Sequence, residues 1–126
     1  MAGQYTLRIV TDFASAHTLR DYPGACSRMH GHNWKVEVEV VAGELDEVGM
    51  GIDFKAIKQA TRDTADRLDH QYLNEIAPFT DVNPTAENIA AYFYRTLSGK
   101  LNNSRVRVHS VTLWETERAC ARYSEG

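Results

Sequence analysis

Residues 32–41 constrain the fold more than any other stretch of the chain. Trp34, Val36, Val38 and Val40 alternate there with Lys35, Glu37 and Glu39. Successive side chains of a strand point to opposite faces, so the segment has one apolar face and one polar face. Such a strand belongs to a sheet that is covered on one side only. Residues 5–12 repeat the pattern, with Tyr5, Leu7 and Ile9 set against Thr6, Arg8 and Asp12. Residues 105–115 are rich in Val, Thr and Trp and predict a third strand, but its phase slips. Val106 and Val108 share a parity that Val111 and Leu113 do not. One extra residue near His109–Ser110, a β-bulge, accounts for the slip. A short last strand follows at about Cys120–Tyr123.

Between these strands the apolar period changes from two to 3.6. Asp53 stands where a helix N-cap belongs. Phe54, Ile57, Thr61, Ala65 and Leu68 follow at steps of three and four, which predicts one helix ending at Asp69-His70. Pro78 and Pro84 bracket a loop. Thr85 caps a second helix whose buried stripe is Ile89, Phe93, Leu97 and Leu101. Residues 14–31, rich in Ala, Ser, Pro, Gly and His, predict a long loop, and Gly43–Gly51 a turn-rich connection. The order is strand, strand, helix, helix, strand, strand. It implies an α+β domain spanning residues 1–126: a four-stranded antiparallel sheet with two helices on one face. The edge strands of a sheet that small are open, and open edges are covered or paired with another subunit.

Charge and cysteine content narrow the function classes. Fourteen Lys and Arg against seventeen Asp and Glu leave a net charge of −3, without the basic footprint of a nucleic-acid binder. No apolar run approaches the roughly 20 residues of a membrane span, and the first residues lack the charged-then-apolar pattern of a secretory signal. Cys26 and Cys120 are too few for a disulfide framework. The expected setting is soluble, reducing and cytoplasmic, where a Cys near His residues suggests metal binding or catalysis.

The chemistry concentrates in Cys26-Ser-Arg-Met-His30-Gly-His32. His30 and His32, two apart at the start of a strand, project to the same side and can converge on one ion. Gly31 between them lets the backbone turn closely. A third His completes a catalytic zinc centre with an open position, and His17, at the end of the neighbouring strand, is the best placed. Imidazoles favour zinc over magnesium or calcium. Cys26 has two readings: a fourth ligand that closes the shell, or a base or nucleophile beside an open site. Asp69-His70 is either a proton relay or a helix-end His facing the macrodipole. Glu115, on an apolar strand, needs a donor; a ligand with adjacent N–H groups would supply it, but the expected partner is an Arg.

Together, Phe13-Ala-Ser-Ala-His17, Cys26-Ser-Arg-Met-His30-Gly-His32-Asn33, Gly51-Ile-Asp-Phe54, Leu68-Asp-His70, Asn83-Pro-Thr-Ala-Glu-Asn88 and Trp114-Glu115-Thr resemble the 6-pyruvoyl-tetrahydropterin synthase family. The likeness covers about residues 5–124 and is closest to the bacterial 6-carboxy-5,6,7,8-tetrahydropterin synthase branch of the queuosine pathway. It implies the tetrahydrobiopterin-synthesis fold, or T-fold, built into trimers and hexamers with active sites between subunits. Lys35, Glu37 and Glu39 would then face a lumen. It implies that His17, His30 and His32 bind zinc and that Cys26 accepts a proton without binding the metal. Asp69 and His70 would form a relay, Glu115 would anchor the pterin, sometimes within that relay, and Thr85 and Glu87 would lie near the pterin. The implied substrate is 7,8-dihydroneopterin triphosphate and the implied products are 6-carboxytetrahydropterin, acetaldehyde and triphosphate. Two alternatives stand beside it. One is a synthase that stops at 6-pyruvoyltetrahydropterin, and the other is a non-enzymatic structural zinc domain closed by Cys26. Arg8, Arg20, Arg28 and Lys35 are candidates for the triphosphate by charge alone.

Overall fold

The computed structural model describes residues 3–126. Strands β1 (Tyr5–His17) and β2 (His30–Ala42) form a long antiparallel pair in unbroken register, from Tyr5 opposite Ala42 to His17 opposite His30. Helices α1 (Phe54–Leu68) and α2 (Ala86–Leu101) follow, separated by a two-residue strand β3 (Gln71–Tyr72). Strands β4 (Val106–Thr116) and β5 (Ala119–Tyr123) close the chain. The sheet order is β3-β1-β2-β4-β5. Four strands are antiparallel, as expected. The fifth, β3, runs parallel to β1 and touches it only at Ser15 and Ala16, so the sheet is mixed.

Both helices have the caps that the sequence predicts. The Asp53 side chain accepts from Lys55 N–H at 2.8 Å, and Thr85 Oγ1 from Asn88 N–H at 3.1 Å. α1 lies against β1 and α2 against β4 and β5. Trp34, Val36, Val38 and Val40 bury their side chains with Ile57, Leu68, Ile89, Phe93, Leu97, Val111 and Leu113. Removing this apolar surface from water is the main term that holds the layers together. The stripe on α1 begins at Ile57; Phe54, a turn earlier, lies beyond the core and is 51% exposed. Leu101 is only partly buried. No helix among the described residues is long and apolar enough to cross a membrane.

Two departures bear on the site. β1 continues through residues 13–17, where a loop was expected. Ala14, Ser15 and Ala16 have weak strand preference, but β2 supplies their partners Asn33, His32 and Gly31. The loop therefore shrinks to residues 18–29. The bulge is present, and His109 is the extra residue: Ser110 pairs with Glu39 and Val108 with Val40, leaving His109 unpaired. Beyond it the inward positions of β4 are Val111, Leu113 and Glu115. Without it, Trp114 would face inward and Glu115 outward.

Candidate active site

His17 and His30 are opposed across the β1–β2 pair, and His32 lies opposite Ser15. All three point to the side of the sheet that carries Trp34. The rings of His17 and His32 each meet Trp34 edge-on with centroids 5.1 Å apart. The bulge brings Glu115 in from β4. One ligand atom from each of His17, His30, His32 and Glu115 lies within 4.8 Å of the other three. The sequence singled out these four residues but did not group Glu115 with the histidines. The partner expected for Glu115 was an Arg. The structure gives it His32, with Nε2 3.0 Å from Oε1. Gly31 is regular strand, and a Cβ there would meet nothing nearer than the Ser15 carbonyl oxygen at 3.7 Å, so close approach does not demand glycine.

Backbone carbonyls set the imidazole tautomers. His17 Nδ1 lies 2.7 Å from the Pro84 carbonyl oxygen and His30 Nδ1 2.7 Å from that of Arg28. A carbonyl only accepts, so each Nδ1 carries the hydrogen and each Nε2 carries a lone pair when the ring is neutral. Those two Nε2 atoms face one another at 2.9 Å. Two lone pairs at that distance repel unless a proton or a cation lies between them. Burial pushes the pKa of His17 down, against the Pro84 carbonyl that raises it, and His30 and His32 push it further down. Burial also lowers that of His32, opposed by Glu115. The cluster thus presents three imidazoles and one carboxylate, and this donor set could hold a metal ion.

The other expected site residues lie around this cluster. Cys26 sits in a single 3₁₀ turn, Ala25–Ser27, half-buried, with its carbonyl oxygen accepting from Leu19 N–H at 3.0 Å. Its sulfur is not among the converging donors. Asp69 caps the end of α1 and reaches β1, where its Oδ1 accepts from Ala14 N–H at 2.8 Å. Its Oδ2 lies 3.1 Å from Nδ1 of His70, whose side chain is 82% exposed. His70 lines a groove with Ala14, Ala16, Asn33 and Gln71 and is not part of the histidine cluster. Thr85 follows the Pro84 that holds His17, while Glu87 is exposed on the first turn of α2.

Of the four triphosphate candidates, Arg20 is committed to backbone carbonyls. Arg20 donates to the Phe79 carbonyl at 2.7 Å and more weakly to those of Asn74 and Val82. Arg8 and Lys35 flank Glu37 on the outer face of the sheet, away from the histidines. Sequence reasoning missed two asparagine clamps. Asn74 bonds both backbone groups of Thr18, and Asn83 bonds both of Arg20. They tie the start of the Cys26 loop to the segment before α2.

Comparison with known proteins agrees with this architecture. The family model described as 6-pyruvoyl tetrahydropterin synthase matches residues 6–126. A protein of Archaeoglobus fulgidus, provisionally named 6-carboxy-5,6,7,8-tetrahydropterin synthase, is 38% identical over 109 residues, covering 86% of this chain and 90% of its own. The 6-carboxy-5,6,7,8-tetrahydropterin synthase of Synechocystis is 36% identical over 117 residues, covering 88% and 86%. The solved structure of Caenorhabditis elegans 6-pyruvoyl tetrahydropterin synthase superposes with a TM-score of 0.87 at 27% identity, covering 99% of this chain and 98% of that one.

Proposed function

The chain belongs to the 6-pyruvoyl tetrahydropterin synthase family, and on that premise we propose a zinc-dependent carboxy-branch lyase. Its substrates are 7,8-dihydroneopterin triphosphate and water, and its products are 6-carboxy-5,6,7,8-tetrahydropterin, acetaldehyde and triphosphate. The observation that carries the reading is the cluster of His17, His30, His32 and Glu115, with two imidazoles held in the metal-ready tautomer by carbonyls. The 36% and 38% identities to proteins bearing the carboxy name support that branch. So does the three-residue spacer between Cys26 and His30, which resembles that of the bacterial carboxy branch.

His17, His30 and His32 would hold the zinc. When bound, it supplies a Lewis acid that lowers the pKa of the substrate's side-chain hydroxyls. Cys26 takes a proton from the carbon chain, and His70 moves protons on its opposite side. Asp69, against Nδ1 of His70, orients that ring. Glu115 accepts from the pterin 2-amino group and N3–H through its two carboxylate oxygens. Thr85 and Glu87 lie at the edge of that pterin site. The exposure of His70 supports a site completed between subunits of a trimer or hexamer, where one copy's relay faces another copy's cluster. We assign this reaction to queuosine biosynthesis in the cytoplasm.

The test is incubation of zinc-loaded protein with 7,8-dihydroneopterin triphosphate and identification of products by mass spectrometry. The expected products are 6-carboxytetrahydropterin and acetaldehyde. Release of triphosphate with 6-pyruvoyltetrahydropterin alone would assign the chain to the other branch. Cys26→Ala should lower turnover by about 10²–10⁴-fold and keep its zinc. A structural site closed by Cys26 would instead lose the metal.

A further inference from the structure

We propose that Glu115 is a displaceable fourth ligand, whose carboxylate closes the metal centre in the resting enzyme and leaves it when a pterin binds. The inference rests on the metal centre proposed above and concerns what occupies its fourth position. Three observations carry it.

The first is the geometry of the His32 contact. Glu115 Oε1 lies 3.0 Å from His32 Nε2, a normal hydrogen-bond distance. Yet Nε2, which is shielded from solvent, has no hydrogen-bond partner of acceptable alignment. The two atoms are close without being aimed at each other. Donors that bind one ion have that relationship: each lone pair points to a shared centre. One donor atom from each of the four groups lies within 4.8 Å of the other three, close enough to share one ion.

The second is how the carboxylate is delivered. The unpaired His109 switches the phase of β4, so backbone register, not a chance rotamer, places Glu115 on the histidine side. The third is what else holds it. Among the described residues no Arg or Lys pairs with Glu115; His32 is its one ion-pair partner. Its side chain remains 35% exposed, so it has room to turn away from the cluster. A carboxylate of this kind neutralises part of a dication's charge when the site is empty of substrate.

The two tasks compete for one carboxylate: a bidentate contact aims both oxygens at the pterin donors, while ligation needs one of them aimed at the ion. Pterin binding therefore withdraws Glu115 and frees the position that the substrate's hydroxyls need. Recognition of the ring would thereby expose the metal, which keeps unrelated hydroxyl compounds from the reactive centre.

The experiment replaces the metal with Co²⁺ and records its visible ligand-field bands in wild type, Glu115→Gln and Glu115→Ala. Circular dichroism checks the fold of each variant. The probe is 6-methylpterin, which has the pterin donors but no side-chain hydroxyl to bind the ion. We expect one cobalt per chain in all three proteins, with bands in both variants that differ from wild type. Saturating 6-methylpterin should move the wild-type bands toward those of the variants. Zinc affinity in Glu115→Ala should fall by at least about tenfold, the lower end of the effect of losing even an outer-shell partner. Identical wild-type and variant bands would overturn the inference while leaving the metal centre standing. Wild-type bands that 6-methylpterin does not move would overturn displacement. Failure of the wild type to bind cobalt would remove the metal centre and the inference together.

Discussion

Asp69 and His70 grip β1 at a single residue. Ala14 N–H donates to Asp69 Oδ1 at 2.8 Å, and His70 N–H donates to the Ala14 carbonyl at 2.6 Å. His70 adopts φ of 56°, the left-handed region, which is unfavourable for a residue with a Cβ. The double tether to Ala14 offsets that cost, so the proposed relay pair is fixed by the sheet and not by its loop. The Ala14 N–H holds the Asp69 pKa below its ordinary 3.8, and the His70 contact adds to the effect. A depressed carboxyl pKa contributes stability above the unfolded value, lost as pH falls through the lower folded one. Asp69→Ala, which leaves the Ala14 N–H unpaired, should cost about 1–3 kcal/mol. Asp69→Asn keeps an acceptor and should cost less. Urea denaturation checks both. The advantage of wild type over Asp69→Asn should be full at pH 7 and shrink as pH falls below 3.8. An advantage that grows in acid would contradict this account.

At the level of elements, the phase of β4 beyond its bulge decides whether the site exists. His109 is an insertion between two correctly paired stretches, with Val108 opposite Val40 and Ser110 opposite Glu39. Deleting His109 alone would join those stretches in regular alternation, still with Val111, Leu113 and Glu115 inward. Deleting His109 and Ser110 together would reverse the phase beyond the cut. The single deletion should therefore fold and bind metal and pterin, and the double deletion should lose both the packing of Leu113 and the site. Thermal denaturation and equilibrium binding of biopterin distinguish them, and equal behaviour of the two variants would contradict the phase argument. The bulge was legible in the sequence because burial imposes a parity that a one-residue slip visibly breaks. The helices were legible too, since Asp53 and Thr85 are caps with a local mechanism. The last third of β1 was not, because Ala14, Ser15 and Ala16 have no strand signature and depend on β2 for their pairing. The candidate site divided the same way. His30 and His32 were bound to share a side by strand geometry. The carbonyls of Pro84 and Arg28 that set the tautomers leave no trace in residue type, and the contact of Glu115 with His32 depends on the register between two distant strands.

At the scale of the whole molecule, the sheet has a long free edge. β3 covers β1 only at Ser15 and Ala16, so among the described residues β1 from Tyr5 to Asp12 has no strand partner on that side. Tyr5 and Val10 on this strand are each 51% exposed. An edge that long and that apolar invites pairing with another copy, and β5 forms the opposite edge of the same sheet. Joining β1 of one copy to β5 of the next would close a ring in the proposed trimer, and two rings would make a hexamer. The direction of the free groups supplies a test. Both backbone groups of Ala14 face away from β2, since they bond Asp69 and His70. With a period of two and no register shift along β1, those of Val10 face the same way. Val10→Pro therefore removes an outward N–H and spares the β1–β2 ladder, as proline on an edge strand does. The wild type should sediment as a multiple of three 14.2 kDa chains. Val10→Pro should remain folded by circular dichroism and bind zinc, because all four cluster residues come from one chain. It should sediment at lower mass and lose turnover, because the proposed relay of one copy would no longer face the proposed metal centre of another. A monomeric wild type would end the ring proposal. A Val10→Pro variant that keeps the wild-type mass would place the subunit contact somewhere other than this edge.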